Sequence, residues 1–340
     1  MTAARWKLVS GALAAIAVLG ATTACSSSSK NDNEILVYNA QHESLTKEWV
    51  EAFTKDTGIK VTLRNGGDTD LGNQIVAEGK NSPADVFLTE NSPAMALVEN
   101  AGLFSDVDKD TLAQVPDQFR PSTGKWTGIA ARSTVFVYNT AKLPADQLPK
   151  SLLDLQQPQW KGRWSGAASG ADFQAIVAAL LAQKGEDATK AWLKGMKDNA
   201  VISQNNTTVM KGANSGQFEG GVIYHYYWYR DQAKTKENSG NTQLFYFKNQ
   251  DPGAFVSISG GGVLKSSKKQ ANAQKFLAYI TSKQGQEVLR DGDSMEYPVA
   301  SDVAANPALP PLASLDAPKI DPSKLDAKKV TQLMTEAGLL

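Results

Sequence analysis

The 340-residue chain reads as an α/β protein with a largely parallel sheet, laid down in two successive sets of elements. Three observations predict this. Short apolar runs alternate with stretches of helical periodicity, glycines close several of those stretches, and the alternation starts afresh near residue 134.

ILVY (35–38) opens the first set as a short apolar strand. Leu45, Trp49, Val50 and Phe53 then recur at helical spacing, predicting a helix over 44–57 that Gly58 stops. Ile59, Val61 and Leu63 alternate as a strand does, and the loop RNGGDTDL leads to a helix near 71–78. ADVFLT (84–89) is the next strand, and PAMALVENAG the helix after it. The second set begins with the strand TVFVYN (134–139). SGADFQAIVAALLAQKG, DATKAWLKGMK and NTTVMKGANSG read as helices, and LFYF and AFVSIS as strands. The glycines at 260–262 are expected to mark a bend after a strand. KKQANAQKFLAYITSKQGQEVL reads as one helix, and a last amphipathic helix covers 327–339.

The N-terminus is a different material. Arg5 and Lys7 precede an apolar run over 8–21, too short to span a bilayer comfortably, and small residues follow, as in a secretory signal. Cys25, the only cysteine, comes directly after Thr23 and Ala24, where a bacterial lipoprotein carries its lipidated cysteine. Thr22 stands where leucine is usual. The expectation is a signal peptide over 1–24 and a lipidated Cys25 on a flexible Ser-rich tether over 25–33. The protein then works outside the cytoplasm, held to the cell membrane through its lipid alone. With no second thiol the fold has no internal disulfide and rests on its core.

Charge excludes one class of partner. The full chain has 35 basic and 35 acidic residues. Removing residues 1–24 takes away Arg5 and Lys7 and no acid, leaving 33 against 35, a net of about −2. Nothing in that balance selects nucleic acid. Catalytic signatures are also missing: there is no GxxxxGK[ST], no GxGxxG after a strand and no GxSxG. His42 and Glu43 begin an HExxH, but Thr46 stands where its second histidine belongs. The chain is expected not to be an enzyme.

The stretch YHYYWYR (224–230) holds four of the nine tyrosines and one of the two histidines. It is either an aromatic strand packed on both faces or a ligand site. Other strand ends carry matching donors, His42 after the first strand and Glu90 directly after ADVFLT. Imidazole, carboxylate and phenolate together suit a small, highly charged cation such as Fe(III), whereas soft metals want sulfur and Ca²⁺ or Mg²⁺ more carboxylates. Neighbouring residues of a regular strand face opposite sides, so Tyr226 and Tyr227 meet one ion only from a turn or a helix start.

YNAQHE, DVFLTEN, SGADFQAIV, NTTVM…GGVIYHYYWYR, DPGAFVSISGGGVLKSS and MEYPVA, in this order, resemble the bacterial ferric-ion-binding proteins, the substrate-binding components of Fe(III) ABC importers. The resemblance runs from residue 35 to the C-terminus. It implies a two-lobed type II periplasmic-binding-protein fold with crossing hinge strands and an interlobe cleft. Lobe 1 is expected over about 34–130 and 257–305, and lobe 2 over about 131–256 and 306–340.

The resemblance implies iron ligation by His42, Glu90, Tyr226 and Tyr227. It implies a synergistic anion (phosphate, carbonate or citrate) on Ser169, Gly170, Ala171, Asn206 and Arg132. Arg132 has an ordinary ion pair as its other reading. Where the family often has an asparagine contacting the anion, this chain has Tyr224, either a third phenolate or, as expected here, a packing residue. Trp228 is expected to anchor the tyrosine pair, with His225 and Tyr229 structural. The implied partners are an ABC permease and its ATPase, served by a monomer. A small organic solute (thiamine, a polyamine or a phosphonate) stacked on the aromatic cluster is the alternative cargo, and an exported hydrolase using the cleft acids the alternative of a different class.

Overall fold

A computed structural model describes residues Asn33–Leu340. The predicted signal peptide, Cys25 and the tether up to residue 32 lie outside the described residues. Among the described residues no helix is long and apolar enough to cross a membrane.

The first set of elements is β1 (Glu34–Asn39), α1 (Glu43–Thr57), β2 (Lys60–Asn65), α2 (Asp68–Glu78), β3 (Val86–Leu88), α3 (Ser92–Asn100) and the short α4 (Lys109–Ala113). After the long β4 (Thr127–Asn139) come β5 (Trp164–Gly166), α5 (Ala171–Lys184), α6 (Glu186–Asn199), β6 (Val201–Ile202) and α7 (Asn206–Ser215). The chain continues through β7 (Gly220–Tyr224), α8 (His225–Lys234), β8 (Thr242–Phe245), β9 (Val256–Val263), α9 (Gln270–Thr281), α10 (Lys283–Asp291) and α11 (Ala327–Glu336). Gly58 does stop α1, in the left-handed conformation that glycine adopts freely, with φ of 72°.

The strands form one mixed sheet in the order β2-β1-β3-β9-β4-β7-β5-β6, with β8 alongside β4. The expectation of a largely parallel sheet is corrected. β1 pairs in parallel with β2 and β3, and β5 with β6 and β7, but every pairing of β4 or β9 is antiparallel. These two strands are the crossing pair. β4 runs beside β9 from Thr127 to Ser133 and then changes partner, pairing with β7 from Thr134 to Tyr138. It is buried along its whole length, although Arg132, Ser133 and Thr134 divide its two apolar runs. The charge inside it, Arg132, must therefore be paired within the protein.

Two further expectations change. Gly260, Gly261 and Gly262 do not end a strand but lie inside β9. A Cβ at these positions would come within 2.4 Å of Met95, 2.7 Å of Leu277 and 2.7 Å of Phe104, so side chains from α3, α9 and the segment after α3 leave room for glycine alone. The single helix read over 268–289 is two, α9 and α10, because the Ser282 hydroxyl accepts the Gly285 N–H and caps a new start.

Separate cores flank the crossing strands. On the β1 side Val37, Trp49, Phe53, Val86, Ile129 and Phe276 pack together. On the β7 side Phe136, Trp164, Phe173, Trp192, Met196 and Val222 do so, joined by Leu333 and Met334 of α11. Loops and helix starts at the strand ends from both sides meet at Arg132.

Candidate metal centre

Local chain geometry delivers each predicted donor. β1 ends at Asn39, whose side-chain oxygen accepts from the Gln41 N–H (3.2 Å) and the Thr46 hydroxyl (2.9 Å). That brace sets His42 at the N-cap position of α1, where its ring is free of any capping bond. Glu90 follows β3, its own N–H donating to Asp68 Oδ1 at 2.9 Å and its carbonyl accepting from the Ser259 hydroxyl at 3.0 Å. β7 ends at Tyr224, and α8 begins at once, so Tyr226 and Tyr227 do sit at a helix start. Their rings stack 4.2 Å apart at 28°, an arrangement a strand would forbid.

The two phenol groups converge. Tyr226 and Tyr227 both donate to one oxygen, Asp172 Oδ2, at 3.4 and 3.0 Å. Asn206 Nδ2 donates to the same oxygen at 2.8 Å, and Asn91 Nδ2 to Asp172 Oδ1 at 2.9 Å. Asp172 lies in the first turn of α5, where the helix dipole favours a carboxylate. From the other side, His42 Nδ1 lies 3.1 Å from Glu90 Oε1, and the His42 ring meets Tyr226 edge-on at 5.1 Å. His42, Glu90, Tyr226 and Tyr227 thus line one small space. Tyr226 is fully buried and the other three are partly exposed.

Arg132 closes the back of this space. Its Nη1 is 2.9 Å from Glu90 Oε2 and 3.8 Å from Asp172 Oδ1, and its Nη2 is 2.6 Å from Glu296 Oε2. One cation therefore stands among three carboxylates, with Asp68 behind Glu90, which leaves the centre short of positive charge.

Proton affinities follow from that deficit. Burial pushes both tyrosine hydroxyls well above the usual phenol range, and Asp172 and Glu90 add to the effect. Phenolates form here only when a cation takes the place of the protons. Burial lowers His42, so the imidazole is neutral and its lone pair is available. Burial pushes Glu90 up to about 8 against the opposing Arg132 guanidinium. Burial also works on Glu296, but Arg132 beside it outweighs this and holds the carboxyl below its ordinary value.

Asp68 gives a testable consequence. Burial, with Glu90 adding, raises it from 3.8 to about 8. The folded chain keeps a proton in that window that the unfolded chain has lost, so this group makes stability fall as pH rises. The two histidines, lowered by burial, act in the opposite sense, but only up to about 6.5, where the unfolded imidazole gives up its proton. Between about pH 6.5 and 8 the acids act alone. Stability of the iron-free protein is expected to fall there by about 1–2 kcal/mol per raised acid. Asp68→Asn should remove its share, as read from melting temperature across pH, and an unchanged slope would contradict the protonated state of Asp68.

The residues expected to hold an anion are adjacent. Gly170 is the extended N-cap of α5 and brings no side-chain cap, with Ser169 and Ala171 on either side. Asn206 opens α7, and Arg132 is engaged with carboxylates as described. Tyr224 is fully buried, and its hydroxyl is 3.3 Å from Asn91 Oδ1 and 3.2 Å from the Asp172 carbonyl. His225 is buried and stacks on Tyr297 at 4.8 Å. Trp228 packs against the cluster of Val135, Val137, Val209 and Ile223 and donates to Thr242 Oγ1 at 3.1 Å. With Tyr224 and Tyr226 buried and Tyr227 stacked on Tyr226, the cluster has little open ring face for an organic solute.

Sequence reading missed Asp172, Glu296 and Asp68. The signals were modest: an acid in the first turn of an otherwise apolar helix, and an acid inside the apolar run MEYPVA. Among the described residues no group of three His, Cys, Asp or Glu side chains is arranged to hold a metal by itself.

Known proteins resemble this chain over most of its length. The family model of bacterial extracellular solute-binding proteins matches residues 81–324. An Fe(3+)-binding periplasmic protein of Serratia marcescens is 67% identical over 309 residues, 91% of each chain. The structure of iron-bound HitA from Pseudomonas aeruginosa superposes with a TM-score of 0.84 at 41% identity, covering 90% of this chain and 99% of that one. A Trichodesmium protein solved with iron and citrate superposes at 0.79 and 28% identity, covering 90% and 100%. These relatives are binding proteins, not enzymes, in keeping with the missing catalytic motifs.

Proposed function

The chain belongs to the bacterial extracellular solute-binding protein family, and from that premise we propose that it captures Fe(III) outside the cytoplasm for import. His42, Glu90, Tyr226 and Tyr227 are the ligands. The observation that carries this reading is the convergence of both phenol groups on Asp172 Oδ2, at 3.4 and 3.0 Å, opposite the His42–Glu90 pair. A trivalent cation there displaces two phenol protons and offsets the surplus of carboxylates.

Asp172 changes what is required of an anion. Its carboxylate already accepts from Asn206, a donor an added anion would use, and it stands beside both phenol oxygens. Phosphate, carbonate or citrate would take the open N-terminus of α5 beside Ser169, Gly170 and Ala171, and must first move Asp172 off Asn206. We therefore read the anion as dispensable, with citrate supported as an alternative by the Trichodesmium relative.

Capture is a hinge closure about β4 and β9. The lobe division at 130/131 and 256/257 is supported by the partner change of β4 after Ser133, and the placing of the end of 306–340 in the second lobe by the packing of α11 on its core, whereas Leu309 and Leu315 pack with Val115, Tyr297 and Val299 of the first. Cys25 carries the lipid anchor, and the loaded monomer hands its ion to an ABC permease driven by an ATPase.

Purified protein given Fe(III) in buffer free of phosphate, carbonate and citrate is expected to develop a visible phenolate-to-iron absorption band. Colourless protein with tight iron binding would remove the phenolate assignment. Colour that needs an added anion would remove the role of Asp172. Calorimetric binding of thiamine, a polyamine or a phosphonate with chelator present would favour an organic cargo.

A further inference from the structure

His42 stands between two carboxylates. Its Nδ1 faces Glu90 Oε1 at 3.1 Å, and its Nε2 faces Glu296 Oε1 at 3.3 Å. The two carboxylates differ in access. Glu90 is 23% exposed and borders the tyrosines, whereas Glu296 is wholly enclosed. Only the Glu90 side of the ring is open to an arriving ion. The Nε2 and Oε1 atoms that face each other are both buried, and neither has another hydrogen-bond partner among the described residues. Each is therefore the other's means of satisfaction, at 3.3 Å, a separation within reach that a small ring rotation would align.

Glu296 is itself held firmly. Arg132 Nη2 lies 2.6 Å from its second oxygen, and Gln41 Nε2 donates to that oxygen at 3.4 Å. Gln41 is the residue before His42, and its side-chain oxygen accepts the His42 N–H at 2.7 Å. The preceding Met295 adopts φ of 55°, an uncommon conformation for a residue with a side chain, and it turns the chain just before Glu296. A strained turn that ends on a buried acid directed at a ligand's far nitrogen is more than filling of space.

We infer that Glu296 is a positioning residue for the cation: through Nε2 of His42 it sets the ring's rotation and tautomer, so that the opposite nitrogen points at the ion shared with Glu90. This rests on the iron-binding reading above. Outer carboxylates of this kind fix ligating histidines in many metal sites, and their loss commonly weakens metal affinity about 10–100-fold.

The test is a double-mutant cycle on iron affinity, measured by competition with a chelator, with the visible band recorded throughout. Glu296→Gln is expected to keep the band, since both tyrosines remain, and to lose about 10–100-fold in affinity. In a His42→Ala background the same change should cost less than about threefold, because the residue through which it acts is gone. Glu296→Asp keeps the charge for Arg132 but withdraws the oxygen from His42. It should bind iron more weakly than wild type while melting close to it, which keeps the question open to measurement if the glutamine variant fails to fold. Equal losses in both backgrounds, or an aspartate variant with wild-type affinity, would overturn the inference and leave Glu296 a partner of Arg132 alone. Wild-type protein without a band would instead defeat the iron reading itself, so the two failures are distinguishable.

Discussion

Replacing Tyr226 and Tyr227 together by phenylalanine is expected to abolish the visible band of the iron-loaded protein and to lower Fe(III) affinity on the order of 10⁴-fold. The magnitude follows from bound metals in four-ligand protein sites, where about 10–16 kcal/mol is shared among the ligands, or about 3 kcal/mol each. Two lost ligands then cost about 6 kcal/mol, at a tenfold change per 1.4 kcal/mol. Phenylalanine preserves the ring stack at 4.2 Å and the buried packing of Tyr226, so the fold should survive. What disappears is two hydroxyls that donate to Asp172 and that only a cation can deprotonate. Titration with iron followed at visible wavelengths checks this, and retained colour in the double variant would place the iron elsewhere.

Arg132→Met is expected to destabilise the iron-free protein by about 3–5 kcal/mol, the usual result of removing one partner from a buried ion pair. Arg132 is fully buried, and Glu90, Glu296 and Asp172 surround it. Methionine fills much of the same volume, so the loss reports charge more than packing. The carboxylates left behind must take up protons or remain uncompensated in a place that water does not reach. Urea unfolding of the iron-free variant reads the effect directly. A change below about 1 kcal/mol would mean that Glu296 is already protonated, and that Arg132 is no counter-charge.

Strand and helix alternation was legible because both periods are written in side-chain order: Trp49 and Phe53 on one helix face, Val61 and Leu63 on one strand face. What misled was tertiary. The glycines at 260–262 look like a bend until Met95, Leu277 and Phe104 are seen pressing on β9. The sheet looked parallel because its local units are parallel, and only the return of the chain through β4 and β9 makes it mixed. His42, Glu90 and the tyrosine pair stood out as hard donors at strand ends, although their grouping around one ion came from a resemblance. Asp172 and Glu296 did not stand out, because a lone acid in a sequence is normally a solvated one.

The order of residues alone determined the kinds of donor available, their attachment to strand ends, and the helix start that two adjacent tyrosines need. Folding decided which carboxylates share their space. Asp172 is 34 residues from Asn206 and 54 from Tyr226, and Glu296 is 164 from Arg132, yet each pair is in contact. Charge acts through distance in space and through the exclusion of water, and neither is a property of sequence spacing. A surface glutamate and one enclosed beside a histidine are the same letter until the chain closes over one of them.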